Sequence, residues 1–120
     1  MHNCPFCQID AYLENDSCYA RFDLYPVTSG HTLIIPKRHV ATWFDMRLDE
    51  QQDAMALIEK AKQYLDKQYQ PAGYNIGANC GQVAGQTIDH AHIHLIPRYH
   101  GDMQDPKGGV RGVIPEKQKY

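Results

Sequence analysis

Three histidines alternate with apolar residues late in the 120-residue chain, in the run His90-Ala91-His92-Ile93-His94-Leu95. Successive side chains of a β-strand point to opposite faces, so this pattern predicts that the three imidazoles share one face and the apolar residues face the core. Neutral ring nitrogens in such a row can ligate a metal ion such as zinc. Alternatively, one imidazole can attack a phosphorus atom while its neighbours hold phosphate oxygens. The third alternative, the polar outer face of an ordinary half-buried strand, does not explain why three histidines recur at this spacing.

The segment before this row favours the phosphate interpretation. Gly81-Gln82-Val83-Ala84-Gly85-Gln86-Thr87 is small and rich in hydrogen-bonding groups, and its backbone N–H groups could close around an anion. The one nearby carboxylate, Asp89, is predicted by strand alternation to point away from the histidine face, so a metal ion would lack an acidic ligand. A metal-dependent hydrolase that uses His90, His92 and His94 as ligands remains a rival hypothesis.

A second group of candidate ligands lies at the N-terminus, where two residues separate Cys4 from Cys7. This spacing is typical of one half of a tetrahedral zinc site, which two neutral histidines would complete. Glutaredoxin-like redox motifs have the same spacing, but they follow a strand of a βαβ unit, and only three residues precede Cys4. An unmetallated pair of thiols is the remaining alternative. Cys18 and Cys80 lack such spacing and are predicted to be structural.

Length and charge limit the possible classes of protein. A chain of 120 residues, of which 42% are hydrophobic, is sufficient for a single domain over residues 1–120 with its own core. The formal net charge of −2 gives no overall attraction to a nucleic-acid duplex or an anionic membrane, so a mononucleotide at a local site is the favoured partner. Without a signal-peptide pattern or a membrane-spanning apolar run, the chain is predicted to be cytoplasmic. His2 and His100 are predicted to lie at the surface.

The first predicted element that positions these residues is a hairpin over residues 17–23 and 32–36. Apolar and polar residues alternate in its first strand, and Pro and Gly interrupt this pattern before the apolar second strand. A helix follows, with Asp49 as its N-cap and Gln52 at the third helical position. Apolar residues then recur at helical spacing. The helix is predicted to end near Tyr69-Gln70-Pro71, because proline disfavours helical geometry in the residue before it.

Two more strands are predicted after the helix, over residues 73–79 and 88–97, with a turn at residues 81–85 between them. Strands that flank one helix in this order predict an α+β fold with an antiparallel sheet. The tail over residues 99–120 has little periodicity. It is predicted to wrap around the domain or to pair with a partner.

The run from Gly85-Gln86-Thr87 through the three histidines to Leu95-Ile96-Pro97-Arg98 resembles the signature of the histidine triad (HIT) superfamily. Asp23, the run from Gly30-His31-Thr32 to Lys37-Arg38-His39, and Asn79 are further matches, so the resemblance spans about residues 4–98. It implies a HIT-like α+β fold, in which about five antiparallel strands accompany one main helix and a short N-terminal element. It also implies a homodimer.

The resemblance implies hydrolysis or transfer at the α-phosphate of a purine nucleotide, such as diadenosine tetraphosphate or an adenosine phosphoramidate. In that reaction His92 is the nucleophile that forms a nucleotidyl-histidine intermediate, and no metal ion is required. The implied catalytic residues are His92, His94, His31 and Gln86. The implied nucleotide-binding residues are Asp23, Asn79, Gly85, Gln86, Thr87, His92 and His94. A nucleotide-binding module without turnover is the non-enzymatic alternative.

Each residue that flanks the nucleophile also has a structural interpretation. His31 could be an edge histidine, Asp23 could cap a turn beside Tyr25, and Gln86 and Asn79 could satisfy backbone groups of their own loop. The sequence alone leaves these alternatives open.

The resemblance also implies a structural zinc site. Relatives such as the galactose-1-phosphate uridylyltransferase branch use an N-terminal Cys-x-x-Cys, a mid-chain histidine and the first histidine of the triad as ligands. Carried over to this sequence, the ligands are Cys4, Cys7, His39 and His90. In this assignment the role of His90 is structural, because as a zinc ligand it links the N-terminus to the segment that carries His92.

Overall fold

A computed structural model describes residues 3–120 of the chain, so the surface position predicted for His2 lies outside the described residues. Within this part of the chain there are five strands, β1 (Leu13–Glu14), β2 (Cys18–Phe22), β3 (Thr32–Pro36), β4 (Gly73–Gly77) and β5 (Ile93–Arg98). They form one antiparallel sheet in the order β1-β2-β3-β5-β4. One main helix, α1, spans Leu48–Tyr69. The predicted α+β fold is confirmed, and so is the predicted hairpin, which β2 and β3 form.

Strand β3 is buried along its whole length because both faces of the sheet are covered. Ile34 faces α1, where it joins the main core with Ala20 of β2 and Leu95 of β5. Leu33 and Ile35 point to the opposite face and pack with Phe6 and Tyr19 in a second apolar cluster. The short 3₁₀ turn Pro5–Cys7 brings Phe6 to that face. The N-terminal segment therefore covers the face of the sheet that α1 leaves open.

Helix α1 begins two residues earlier than the capping pattern predicts. The N-cap is Arg47 rather than Asp49, and Glu50 rather than Gln52 takes the third helical position. The Glu50 carboxylate accepts a hydrogen bond from the Arg47 backbone N–H at 2.8 Å, which satisfies one of the unpaired donors of the first turn. It also receives two hydrogen bonds from Arg38, at 2.8 and 3.0 Å. The prediction of Asp49 as N-cap was wrong, because the ion pair between buried Glu50 and partly exposed Arg38, which pattern alone does not reveal, sets the helix start.

The other end of α1 lies where the sequence predicts it. Gln70 adopts a left-handed conformation with φ of 52° and Pro71 follows, so the helix cannot continue. Between the two ends, apolar residues three or four positions apart face the sheet. The buried ones are Ala54, Leu57, Ala61 and Leu65.

Strand β5 is shorter at its start than predicted, because it begins at Ile93 rather than at residue 88. The Ala91 N–H donates to the Val40 carbonyl at 2.7 Å instead of to a neighbouring strand, which holds residues 88–92 outside the sheet. The predicted inward direction of Ala91, Ile93 and Leu95 is nevertheless confirmed, since all three lie in the main core. Strand β4 likewise ends at Gly77, two residues before the predicted end.

The tail folds back onto its own chain. Its 3₁₀ turn Gly109–Val113 contacts β4, and Arg111 donates hydrogen bonds to the carbonyls of Lys117 and Gln118 at 2.9 and 3.2 Å. This is the wrapping arrangement, one of the two that the sequence predicts. No helix of the described residues is both long and apolar enough to cross a membrane.

Candidate active site and metal centre

His92 lies just before β5, with 9% of its surface exposed. Its Nδ1 is 2.8 Å from the backbone carbonyl oxygen of His90. A carbonyl oxygen only accepts, so Nδ1 carries the proton of the neutral ring and Nε2 retains its lone pair. The Phe6 ring packs edge-on against the imidazole, with centroids 5.0 Å apart. The arrangement fixes the tautomer that a nucleophilic imidazole requires.

Three further residues form a hydrogen-bonded chain beside His92. The Val27 N–H donates to His31 Nδ1 at 3.0 Å, which places the proton of a neutral His31 on Nε2. That Nε2 is 2.9 Å from His94 Nδ1, so His94 accepts there and carries its own proton on Nε2. His94 thereby keeps one N–H donor available for a ligand oxygen.

Burial keeps these two imidazoles neutral. It lowers the pKa of His31, an effect that the Asp23 carboxylate opposes from 3.5 Å. Burial, together with the neighbouring His92 and His31, lowers the pKa of His94 to about 4. At pH 7 both side chains therefore act as neutral donors and acceptors rather than as cations.

These side chains line one cavity of about 360 Å³. Its lining includes His31, His92, His94, Asp23, Asn79, Gly85 and Thr87. The structure thus brings together all the residues that the resemblance assigns to nucleotide binding except Gln86. A larger groove of about 720 Å³ lies along β4 and the start of the tail and contains none of them.

Gln86 does not line this cavity, because both ends of its amide are bonded to backbone. Its Oε1 accepts from the Gly81 N–H at 2.8 Å, and its Nε2 donates to the carbonyls of Ala41 and Ile88 at 2.6 and 3.0 Å. The side chain therefore braces the loop that borders the cavity. Asp23 makes the predicted turn contact, since its Oδ1 accepts from the Tyr25 N–H at 2.9 Å, and its Oδ2 lies 3.5 Å from His31 Nε2. Its role in nucleotide binding stays a prediction.

His90 turns away from the other two histidines of the triad. Its Nε2 donates to the Pro36 carbonyl oxygen at 2.7 Å, so the lone pair of its neutral ring lies on Nδ1. That Nδ1 lies 3.1 Å from His39 Nδ1 and 3.3 Å from Cys4 Sγ. Cys7 Sγ is 3.2 Å from His39 Nδ1 and 3.5 Å from His90 Nδ1. The four ligand atoms all lie within 4.8 Å of one another.

This donor set fits a tetrahedral zinc ion. With Zn–S of about 2.3 Å and Zn–N of about 2.0–2.1 Å, neighbouring ligand atoms lie roughly 3.3–3.8 Å apart, close to the separations found here. The geometry also directs a lone pair of His90 at the centre of the group, where a cation would offset the repulsion between thiolates and ring nitrogens. Among the described residues no potential metal-ligand group combines His90, His92 and His94, which argues against the rival metal-dependent hydrolase.

Phe6 is a site residue that the sequence analysis missed. It lies between Cys4 and Cys7 in the chain, is buried, and touches the rings of both His90 and His92. The Tyr19 hydroxyl donates to its carbonyl oxygen at 2.5 Å. An aromatic residue inside the Cys-x-x-Cys motif was the available signal, but only the fold shows that it reaches the nucleophile.

The fold and the site together define a class of proteins in which histidines on or next to two central strands of an antiparallel sheet face a single cavity. A model of the HIT domain matches residues 8–101, and the chain belongs to the HIT family. The resemblance found in the sequence is thereby confirmed.

Several relatives show how far the similarity extends. An uncharacterised HIT-like protein of Methanocaldococcus jannaschii is 37% identical over 118 residues, which cover 92% of this chain and 91% of that protein. An adenosine 5'-monophosphoramidase of Candida albicans is 34% identical over 80% of this chain and 70% of its own length. An AP-4-A phosphorylase of Mycobacterium tuberculosis is 36% identical over 70% of this chain but only 44% of its own length.

The crystal structure of a zinc-bound histidine triad family protein from Mycobacterium smegmatis is similar in fold, with a TM-score of 0.76 at 30% identity. The match covers 86% of this chain and 80% of that one. At this level of identity the likeness extends beyond the fold class to the family.

Proposed function

We propose that this protein hydrolyses purine nucleotides at the α-phosphate through a nucleotidyl-histidine intermediate on His92. The observation that carries the proposal is the hydrogen bond from His92 Nδ1 to the His90 carbonyl, because it leaves Nε2 as a buried, oriented nucleophile. Relatives that act on diadenosine tetraphosphate and on adenosine 5'-monophosphoramidate support the assignment.

The reaction has two displacements. His92 Nε2 attacks the α-phosphorus and forms a P–N bond as the bond to the leaving group breaks. Water then attacks the same phosphorus, the P–N bond breaks, and a nucleoside monophosphate leaves with the ring restored. The imidazole carries positive charge in the intermediate, and the His90 carbonyl stabilises its Nδ1–H. The Nε2–H of His94 donates to a non-bridging phosphate oxygen.

The order of groups along the cavity matches the order of groups in a nucleotide. Asp23 lies between the histidines and a smaller apolar cavity of about 260 Å³, whose walls include Phe6, Leu33 and Ile88. A phosphate beside His92 would therefore place ribose hydroxyls near the Asp23 carboxylate and the base against the apolar walls. This linear arrangement supports a nucleotide over a small phosphate ester.

The leaving group is proposed to occupy a cavity of about 440 Å³ on the other side of His31 and His94, next to the tail. Apolar side chains form much of its wall, namely Val27, Ile76, Ile96, Val110 and Val113. None of the described residues that line it is lysine or arginine, so a departing polyphosphate would meet no cation. An amine with a hydrocarbon substituent fits this lining better, which favours a nucleoside phosphoramidate as substrate.

Zinc at Cys4, Cys7, His39 and His90 is proposed to be structural. When bound, the ion supplies a cross-link between distant segments, while the chemistry at phosphorus rests on the side chains of the cavity.

The homodimer implied by the resemblance is also proposed. Its support is the outer edge of β4, which ends the sheet and carries the exposed Ile76, and light scattering of the purified protein tests it.

Substitution of the nucleophile tests the proposed function. His92→Asn should lower kcat for adenosine phosphoramidate and diadenosine tetraphosphate at least about a thousand-fold, while the Kd for AMP changes little. Wild-type protein quenched during turnover of α-³²P-labelled substrate should carry acid-labile label, and the variant should carry none. His100→Asn, at an exposed histidine, is the matched control. Undiminished turnover by His92→Asn would refute the assignment.

A further inference from the structure

Arg21 lines the apolar cavity but not the cavity that contains the catalytic histidines. Among the described residues that line this cavity of about 260 Å³, it is the only basic one. Five lining residues are shared with the histidine cavity, but Arg21 is not among them. The guanidinium therefore lies outside the cavity of the proposed phosphate site. It lines the apolar cavity in which the proposed function places the base.

Neighbouring side chains hold the guanidinium at this place. Its central carbon lies 5.6 Å from the centre of the Phe6 ring, within the range of a cation–π contact. The Tyr19 hydroxyl lies beside it as well, and Arg21 opposes the burial that raises the pKa of Tyr19 to about 12. Tyr19 and Arg21 are two residues apart on β2, so both side chains point to the face that the N-terminal segment covers.

Arg21 has hydrogen-bond donors to offer a ligand. It forms no ion pair with a carboxylate anywhere in residues 3–120. The nearby Asp23 is engaged by the Tyr25 N–H and by His31. A guanidinium carries five N–H groups in a planar fork, so a contact to Tyr19 leaves several unused.

We infer that Arg21 reads the edge of the bound base and makes the site prefer guanine to adenine. This inference rests on the proposed function, because it needs the base in the apolar cavity. Guanine presents two adjacent acceptors, O6 and N7, that match the two parallel donors of the fork. Adenine presents N7 beside an amino group, which would face a second donor.

Cation–π stacking of Arg21 on the base is the competing arrangement, and it would not discriminate between purines. Equilibrium binding of GMP, AMP, guanosine and adenosine separates the two. Wild-type protein should bind GMP about five-fold or more tightly than AMP, the lower bound for one bidentate arginine–guanine pair. The nucleosides should show the same ratio, because the contact is to the base and not to the phosphate.

Two substitutions at the same position sharpen the test. Arg21→Met keeps the aliphatic stem but removes the donors, so it should reduce the GMP/AMP ratio to near one. Arg21→Lys keeps the charge without the fork and should retain only part of the preference. Lys60→Met, at an exposed lysine of α1, is the control and should leave the ratio unchanged.

The outcomes distinguish this inference from the proposed function. Equal affinity of the wild-type protein for GMP and AMP, or a ratio that survives Arg21→Met, overturns the role of Arg21 while His92-dependent turnover still stands. Failure of all four compounds to bind overturns both. A guanine preference that persists in His92→Asn but disappears in Arg21→Met supports Arg21 independently of catalysis.

Discussion

The carbonyl oxygen of His90 accepts the Nδ1–H of His92, while the ring of His90 belongs to the Cys/His cluster. One residue thus contacts the nucleophile through its backbone and the metal site through its side chain. The cluster restrains the segment that carries this carbonyl, so we expect the integrity of the cluster and the geometry of the nucleophile to be linked.

Protein purified without chelator is expected to contain one zinc ion per chain, measured by elemental analysis. Cys4→Ser should lose the zinc and lower the melting temperature, because the ion cross-links three segments of the chain. Activity should fall as well, by about 10- to 100-fold, since His92 loses a fixed acceptor. Cys80→Ser, outside the cluster, should retain metal, stability and activity. Zinc-free protein with full stability would contradict the site.

Gln86→Ala is expected to destabilise the protein even without nucleotide. The substitution removes three hydrogen bonds to loop and neighbouring backbone and leaves partly buried groups unpaired, so the free energy of unfolding should fall by about 1–3 kcal/mol. Urea unfolding of nucleotide-free protein measures it. The neighbouring exposed Gln82→Ala serves as the control. A Gln86→Ala protein of unchanged stability but weakened AMP binding would instead favour a direct phosphate contact.

His94 is expected to make stability depend on pH between about 4 and the ordinary histidine pKa near 6.5. Its pKa is lower in the folded protein than in the unfolded chain, so over this range the unfolded chain binds more protons. Stability therefore falls as pH decreases through this range and changes little with this group above it. His94→Gln cannot titrate. The difference in free energy of unfolding between wild type and His94→Gln should shift against wild type on acidification; a pH-independent difference would contradict a depressed pKa.

Glu50→Gln is expected to lower the free energy of unfolding by about 1–3 kcal/mol. Glu50 is only 1% exposed and accepts hydrogen bonds from Arg38 and from the first turn of α1, and these contacts hold its pKa below the ordinary value. Chemical denaturation monitored by circular dichroism measures the loss. Glu59→Gln, an exposed position of the same helix, should change stability by less than about 0.5 kcal/mol. Equal effects of the two substitutions would contradict the role of Glu50.

Local patterns were sufficient to predict much of the fold. The alternation around Ile93 and Leu95 identified the inward face of β5, and Pro71 located the end of α1, because both effects act between near neighbours in the chain. The start of α1 was missed since it depends on Arg38, twelve residues away from Glu50.

Residue type and spacing singled out the histidine row and the Cys4/Cys7 pair, and the resemblance to the HIT superfamily predicted which distant residues join them. His92, His94, His31 and Asp23 do lie at one cavity, and Cys4, Cys7, His39 and His90 do form a cluster. The catalytic and nucleotide-binding role implied for Gln86 stays a prediction, since its side-chain amide is bonded to backbone here. Phe6 and Arg21 could not be assigned from spacing, because apolar and basic residues acquire a function only from what the fold places beside them.

The ligands of the Cys/His cluster come from positions as far as 86 residues apart in the chain. No short stretch of the unfolded polypeptide can hold the ion with all four, because loops of this length must first close. Tight binding of the metal therefore requires the fold to bring three distant segments together, those that carry Cys4 and Cys7, His39, and His90. The affinity for zinc therefore reports whether folding is complete. A truncated or misfolded chain is expected to bind zinc weakly and to lose it to competing chelators.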